Sequence, residues 1–144
     1  MAADPHNLAR FVAAQNPVFA QVCVELAAGR KHSHWMWFIF PQLRGLGSSP
    51  TAERYAIASL DEARAYLAHP ILGERLRSCT QLVNRLEGRT AQEIFGYPDY
   101  LKFRSSMTLF AHAAREAGEP FEKALARYFA GEEDARTRTL LAGS

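Results

Sequence analysis

Residues that begin and end helices recur along the whole chain, and their spacing constrains the fold more than any other feature. An oxygen-bearing side chain or a proline precedes nearly every apolar segment, and a glycine follows several of them. Such side chains accept bonds from unpaired amides at a helix start, proline fits the first turn, and glycine tolerates the backbone of a helix end. The pattern predicts an all-α fold of about seven short-to-medium helices in a single domain over residues 1–144.

Two residue pairs indicate helix starts directly. Ser59 precedes Glu62 by three residues. The same spacing separates Thr90 from Glu93. In a capping box of this type the hydroxyl and the carboxylate each accept a bond from the other residue's backbone amide. We therefore expect a helix after each pair.

Periodicity indicates the longer helices. Apolar residues recur at three- and four-residue steps over residues 71–86, which predicts an amphipathic helix that ends by Gly88. Another helix is expected from Pro98 as far as Gly118. The pattern over residues 132–144 is weaker.

The aromatic residues 34–40 are compatible with either a strand or a helix. Two tryptophans and two phenylalanines in this short stretch suit a buried strand. Ser33 as a cap and Pro41 as a terminator suit a short buried helix instead. A lone strand would have no partner for its backbone, so a helix is our prediction.

Composition narrows the classes of function. Hydrophobic residues make up 48% and charged residues 22% of the chain, as in ordinary globular proteins. A formal charge of +2 is too small for a dedicated nucleic-acid binder, whose affinity depends on many phosphate contacts. The one basic run, residues 30–32, is most simply a complement to a helix dipole.

The two cysteines and the apolar stretches bear on location. Cys23 and Cys79 form no CxxC pattern, so we interpret both as small buried hydrophobes in a reducing compartment. The first residues lack the basic and then apolar order of a signal peptide, and residues 35–41 are too few to cross a bilayer. The sequence predicts a cytoplasmic protein with no membrane partner.

The first candidate site is the segment from Lys31 to Gln42. Its indoles supply planar apolar surface, and polar side chains bracket them, as a pocket that stacks a planar ligand requires. The alternative is that the aromatic residues form the central core. His34 is a candidate acid or base near neutral pH, or a hydrogen-bonded structural group. No third ligand follows His32 and His34 at metal spacing, so no metal site is expected.

The second candidate site begins at Asp99. If Pro98 opens a helix, Asp99, Lys102 and Ser106 lie on one side of it at steps of three and four. Polar groups near a helix start favour an anion. The alternative is a solvated ion pair, with Ser105 and Ser106 against a neighbouring helix.

A third element comprises His69 and Arg75. Because Pro70 follows it, His69 has extended backbone, and its side chain either caps the next helix or lies over a cleft. Arg75 is one turn into that helix and could bind phosphate.

Three long motifs carry a family resemblance. The runs GRKHSHWMWFIFPQLRGLG, RYAIASLDEARAYLAHPILGERL and IFGYPDYLKFRSSMTLF closely resemble the bacterial DUF1810 family, whose function is unsettled. The resemblance spans essentially the whole chain and implies an all-α fold of about seven helices. Many motif positions hold polar residues, which packing explains less easily than apolar ones, so the resemblance favours a real site.

A fainter resemblance links the chain to NADAR proteins. These are similar in pairing an aromatic-histidine motif, here SHWMW, with later elements that correspond to HPILGERL and IFGYPD. NADAR proteins act on N-glycosidic bonds in compounds of the ADP-ribose type. The resemblance implies hydrolysis of such a bond.

Together these features predict a cleft between the aromatic segment and the segment from Asp99 to Ser106. It would bind a small phosphorylated or nucleotide-like ligand without a cofactor, and His34 or Asp99 would transfer protons. Trp35 or Trp37 would stack on the ligand. The residues expected to receive phosphate are Lys31, Arg75 and Lys102, and the other expected ligand-binding residues are Gln42, His69, Ser105 and Ser106. The alternative is a non-enzymatic module that binds a partner protein in an apolar groove.

Overall fold

The computed structural model describes residues 3–143. These residues form α1 Ala9–Gln15, α2 Phe19–Ala28, α3 Met36–Ile39, α4 Pro50–Arg54, α5 Leu60–Ala68, α6 Leu72–Arg85, α7 Ala91–Phe95, α8 Asp99–Ala113, α9 Phe121–Phe129 and α10 Ala135–Ala142. No strand forms within this range, where an isolated parallel bridge joins Leu43 to Ile57. The all-α prediction is confirmed, and the aromatic stretch contains a helix.

The described residues form ten helices rather than about seven. Three of them, α3, α4 and α7, span only four or five residues. Helices this short are unstable in isolation and persist because they pack on the core, and two of them, α3 and α7, were predicted from the residues that flank them. The last helix lies in the weakly patterned tail, where Asp134 caps it by accepting a bond from the Thr137 amide.

The two predicted capping boxes differ. Thr90 and Glu93 form the reciprocal pair of bonds. Ser59 accepts a bond from the Glu62 amide, but the Glu62 carboxylate accepts from the Ala58 amide instead. Glu62 also forms an ion pair with Arg10 at 2.9 Å, so this carboxylate ties α5 to α1.

The helix α8 lies at the centre of the fold. It packs against α3, α5, α7, α9 and α10. Its Phe103 stacks on Phe95 of α7 with ring centroids 4.5 Å apart, and meets Phe40 edge-on at 5.0 Å. These contacts hold the aromatic segment beside the start of α8. The two segments named as candidate sites are therefore neighbours in the fold. The helix ends at Ala113, five residues before the expected Gly118, because Ala114 has extended backbone.

Both cysteines are free thiols on helices that pack together, α2 and α6. Cys79 is buried, as expected, whereas Cys23 is half-buried. Burial raises the pKa of both thiols, so they remain protonated at neutral pH.

None of the described helices is by itself long and apolar enough to cross a bilayer. Taken together, α1 and α2 have the length and the apolar composition of a membrane-spanning helix, but the chain bends by 67° between them.

A glycine in the HPILGERL motif allows α5 and α6 to approach each other. A Cβ atom on Gly73 would lie 2.1 Å from the backbone oxygen of Leu67. Gly73→Ala should therefore destabilise the protein by about 1–3 kcal/mol, although alanine is normally the better helix former. Urea unfolding would measure the change.

Ser78→Ala is the matched control, because Ser78 is exposed on the same helix. Its free energy of unfolding should stay within about 0.5 kcal/mol of the wild type. A Gly73→Ala protein as stable as the wild type would contradict the close approach.

Candidate ligand-binding site

The buried carboxylate of Glu25 organises the segment that precedes the aromatic stretch. Its Oε1 atom accepts bonds from the backbone amides of His32 and Ser33, at 2.7 and 3.0 Å, and from the Trp35 indole at 3.0 Å. Its Oε2 atom accepts bonds from the Ser33 hydroxyl at 2.6 Å and from Gln21 at 3.0 Å. The chain therefore wraps around this one side chain after α2 ends.

The charge of Glu25 is stabilised by these donors. Burial by itself would raise the pKa of the Glu25 carboxyl, but the bonds from Ser33, His32 and Gln21 outweigh it and lower the pKa far below its usual range. Sequence analysis did not single out Glu25. The available signal was an acidic residue on the apolar face of α2, between Val22 and Leu26.

Beyond this turn, Lys31 meets the start of α8. The Lys31 amide donates to the Ile94 carbonyl at 2.7 Å, which ties the segment to α7. The Lys31 ammonium lies 2.8 Å from Asp99 Oδ2, and the Lys102 ammonium lies 3.0 Å from Asp99 Oδ1. We call Lys31, Asp99 and Lys102 the two-lysine cluster. Their side chains are 7%, 19% and 22% exposed, respectively.

Asp99 is an anion in this cluster. Burial would raise the pKa of the Asp99 carboxyl, but hydrogen bonds and charge from Lys31 and Lys102 lower it below its usual value. One carboxylate faces two ammonium groups, so the two-lysine cluster carries a net positive charge.

Each lysine of the cluster also lies over an indole. The Lys102 ammonium is 4.2 Å from the Trp37 ring centroid, and the Lys31 ammonium is 5.2 Å from that of Trp35. Trp35 is buried and belongs to the core, as the alternative interpretation of the aromatic stretch expected. Trp37 is only half-buried, so of the two indoles it has the larger surface for a ligand.

A basic cavity of about 450 Å³ adjoins Lys31. Its polar lining comprises Arg30, Lys31, Arg89, Gln92 and Glu93. The Glu93 carboxylate already caps α7, and Arg30 and Arg89 are exposed, so cations dominate the lining. Sequence analysis assigned Arg30 to a helix dipole and missed Arg89, since α7 lies far from residue 30 along the chain.

His69 and Arg75 serve elsewhere in the fold. The His69 Nδ1 atom accepts bonds from the amides of Ile71 and Leu72, at 3.1 and 3.2 Å, and so caps the start of α6. The Arg75 guanidinium donates to Gln15 at 3.4 Å and lies 4.8 Å from the Phe19 ring centroid. His69 therefore has the capping role that the sequence offered as one of two, and Arg75, a predicted phosphate ligand, has partners within the protein.

The other predicted site residues differ in exposure. His34 is exposed, whereas the Ser105 hydroxyl donates to the Leu101 carbonyl at 3.1 Å. Ser106 Oγ and Gln42 Nε2 are buried, and neither has a hydrogen-bond partner within residues 3–143. Ser106 follows Lys102 by one turn, so this unpaired hydroxyl lies on the same side of α8 as the two-lysine cluster.

In the part of the chain that the structure describes, no group of three His, Cys, Asp or Glu side chains is placed to hold a metal ion.

Comparisons with known proteins agree with the family resemblance. A family model described as "Protein of unknown function (DUF1810)" matches residues 5–141. The crystal structure of the conserved hypothetical protein Rv1873 from Mycobacterium tuberculosis is 61% identical, with a TM-score of 0.94, over 96% of this chain and 99% of that one. No curated protein matches. These comparisons do not show the likeness to NADAR proteins.

The Glu25 carboxylate should make stability depend on pH. Since its pKa is lowered in the folded state, its contribution is present above the ordinary pKa of glutamate, about 4.3, and declines as the pH falls below it. Glu25→Gln places an amide among donors and should destabilise the protein by about 3 kcal/mol at pH 7. Urea unfolding between pH 3 and pH 7 would measure both effects.

The control is Glu53→Gln, which removes an exposed carboxylate from α4. It should leave the stability at pH 7 almost unchanged. If Glu25→Gln were equally harmless, Glu25 would not organise this segment.

Proposed function

The chain belongs to the DUF1810 family, and from the geometry around Asp99 we propose that it binds a small phosphorylated, nucleotide-like ligand. One observation carries the proposal: two lysine ammonium groups from distant parts of the chain meet on one carboxylate beside a half-buried indole. Structural ion pairs need only one cation for each anion, whereas this cluster keeps a positive charge for a further anion.

Charge supports the phosphate part of the proposal. Arg30 and Arg89 line the cavity that Lys31 also lines, so positive groups extend from the two-lysine cluster into an open space. That cavity, at about 450 Å³, is large enough for a small ligand. Lysine and arginine are the side chains that bind phosphate oxygens most strongly, through charge-assisted hydrogen bonds.

Trp37 supports the nucleotide-like part. Its half-buried ring lies beneath Lys102 and against the loop at Gly47, where an added Cβ would be 3.1 Å from the indole. An aromatic ring that is fixed in place and keeps some exposed surface can stack on a planar base.

We propose hydrolysis of an N-glycosidic bond as the reaction of this site. Asp99 is ionised, so it would stabilise the positive charge that develops on the sugar rather than donate a proton. His34 is exposed and would act as the proton donor to the leaving base. The two free thiols agree with a reducing compartment, and we propose the cytoplasm as the location.

A non-enzymatic interaction module is the second candidate. Tyr97, two residues before Asp99, is 79% exposed. Exposed tyrosines are frequent anchors in protein interfaces. A partner that binds the wild type but not Tyr97→Ala, combined with no small-molecule binding, would favour this candidate.

Thermal unfolding would test ligand binding with AMP, NAD, ADP-ribose and sugar phosphates as probes. A probe that binds the folded state at about 100 times its Kd should raise the Tm by about 5 °C or more. Lys102→Gln should lose most of this shift because it removes a cation from the site. Lys123→Gln is the matched control, since Lys123 is exposed on α9.

Equal shifts in the two lysine variants, or no shift with any probe, would contradict the proposal. Release of free base from a bound probe would test hydrolysis separately. That release should fall at least about tenfold in His34→Ala, while the binding shift remains.

A further inference from the structure

We infer that Asp99 is an internal competitor for the ligand, and that the site selects a terminal phosphate, which binds by replacing the Asp99 carboxylate on Lys31 and Lys102. The inference rests on the proposed function and narrows its ligand class to phosphate monoesters. It follows from three features of the two-lysine cluster: its geometry, its charge and its unequal exposure.

The geometry is that of an anion bridge. Each Asp99 oxygen receives one ammonium group, at 2.8 Å from Lys31 and 3.0 Å from Lys102. A phosphate group likewise offers two oxygens on one central atom, so it can occupy the same pair of donors. It also offers a third oxygen, and two further cations, Arg30 and Arg89, line the cavity that Lys31 borders.

The charge sets the class of anion. With Asp99 in place the two-lysine cluster has a single net positive charge, which attracts any anion weakly. Once the carboxylate leaves, two ammonium groups are free, and a dianion balances both whereas a monoanion balances one. A terminal phosphate is close to dianionic above pH 7, while an internal phosphodiester has one charge. Exchange with Asp99 therefore favours the monoester.

Unequal exposure explains why the exchange needs a ligand. Lys31 is only 7% exposed, so its ammonium cannot rely on water and holds Asp99 in the absence of another anion. Asp99 is 19% exposed and lies in the first turn of α8, where the helix dipole favours a carboxylate after it leaves the lysines. The carboxylate is thus the member of the pair that can leave the lysines, and from there it can still face the sugar of the bound ligand.

The experiment uses methyl phosphate, a monoester, and dimethyl phosphate, a diester, at pH 8. Titrations would follow the NMR signals of the tryptophan indoles in the wild type and in Asp99→Asn. We expect the wild type to bind methyl phosphate at least about fivefold more tightly than dimethyl phosphate. Asp99→Asn should bind methyl phosphate about tenfold more tightly than the wild type, because the competitor has lost its charge.

Glu119→Gln is the matched control. Glu119 also forms an ion pair, with Arg77 at 2.8 Å, and its side chain is 20% exposed, close to the value for Asp99. The variant changes the net charge equally, so its affinity for methyl phosphate should match that of the wild type. Equal gains in both variants would show a general charge effect and overturn the inference.

The failures of the two proposals are distinguishable. If Lys102→Gln weakens methyl phosphate binding but Asp99→Asn does not strengthen it, the site stands and Asp99 is no competitor. If neither the wild type nor Asp99→Asn binds methyl phosphate, the inference fails, and the thermal shifts with AMP, NAD, ADP-ribose and sugar phosphates decide the proposed function separately. Should Asp99→Asn not fold, the Asp99 carboxyl ¹³C signal of the wild type gives the answer, because exchange shifts it on addition of methyl phosphate and an unshifted signal overturns the inference.

Discussion

The candidate site depends on the buried carboxylate of Glu25. Five hydrogen bonds converge on it, and four of them come from His32, Ser33 and Trp35, three of the four residues that follow Lys31. A buried anion without such donors would be strongly destabilising, so the segment has little freedom to adopt another path. This constraint places Lys31 at the start of α8 and Trp35 in the core, and the position of Trp37 follows from theirs.

The core and the candidate site share α8. Its Phe103 packs on Phe40, just after α3, and on Phe95 of α7 in one aromatic cluster, and Asp99 lies one turn before Phe103 on the same side of the helix. Packing the rings therefore also fixes the distance between Lys31 and Asp99. The positions of the charges are a consequence of core packing.

The structure brings some of the candidate residues together and places others apart. Lys31, Trp37, Asp99 and Lys102 lie together, because each of the two motifs contributes residues to the place where α3 and α8 meet. His69 belongs to a third motif, but its imidazole caps α6. Membership of a motif does not show whether a side chain binds a ligand or forms hydrogen bonds with the protein's own backbone.

The sequence by itself determined the helical class and most helix starts, since caps, prolines and periodicity act between residues three or four positions apart. It also indicated Lys31, Asp99 and Lys102 as site residues, but it did not show that both lysines pair with Asp99. Tertiary structure decided how the short helices pack, the role of Glu25 and the addition of Arg89 to the cavity. The physical reason is that these features depend on which helices pack together, and packing is set by the whole core rather than by neighbours along the chain.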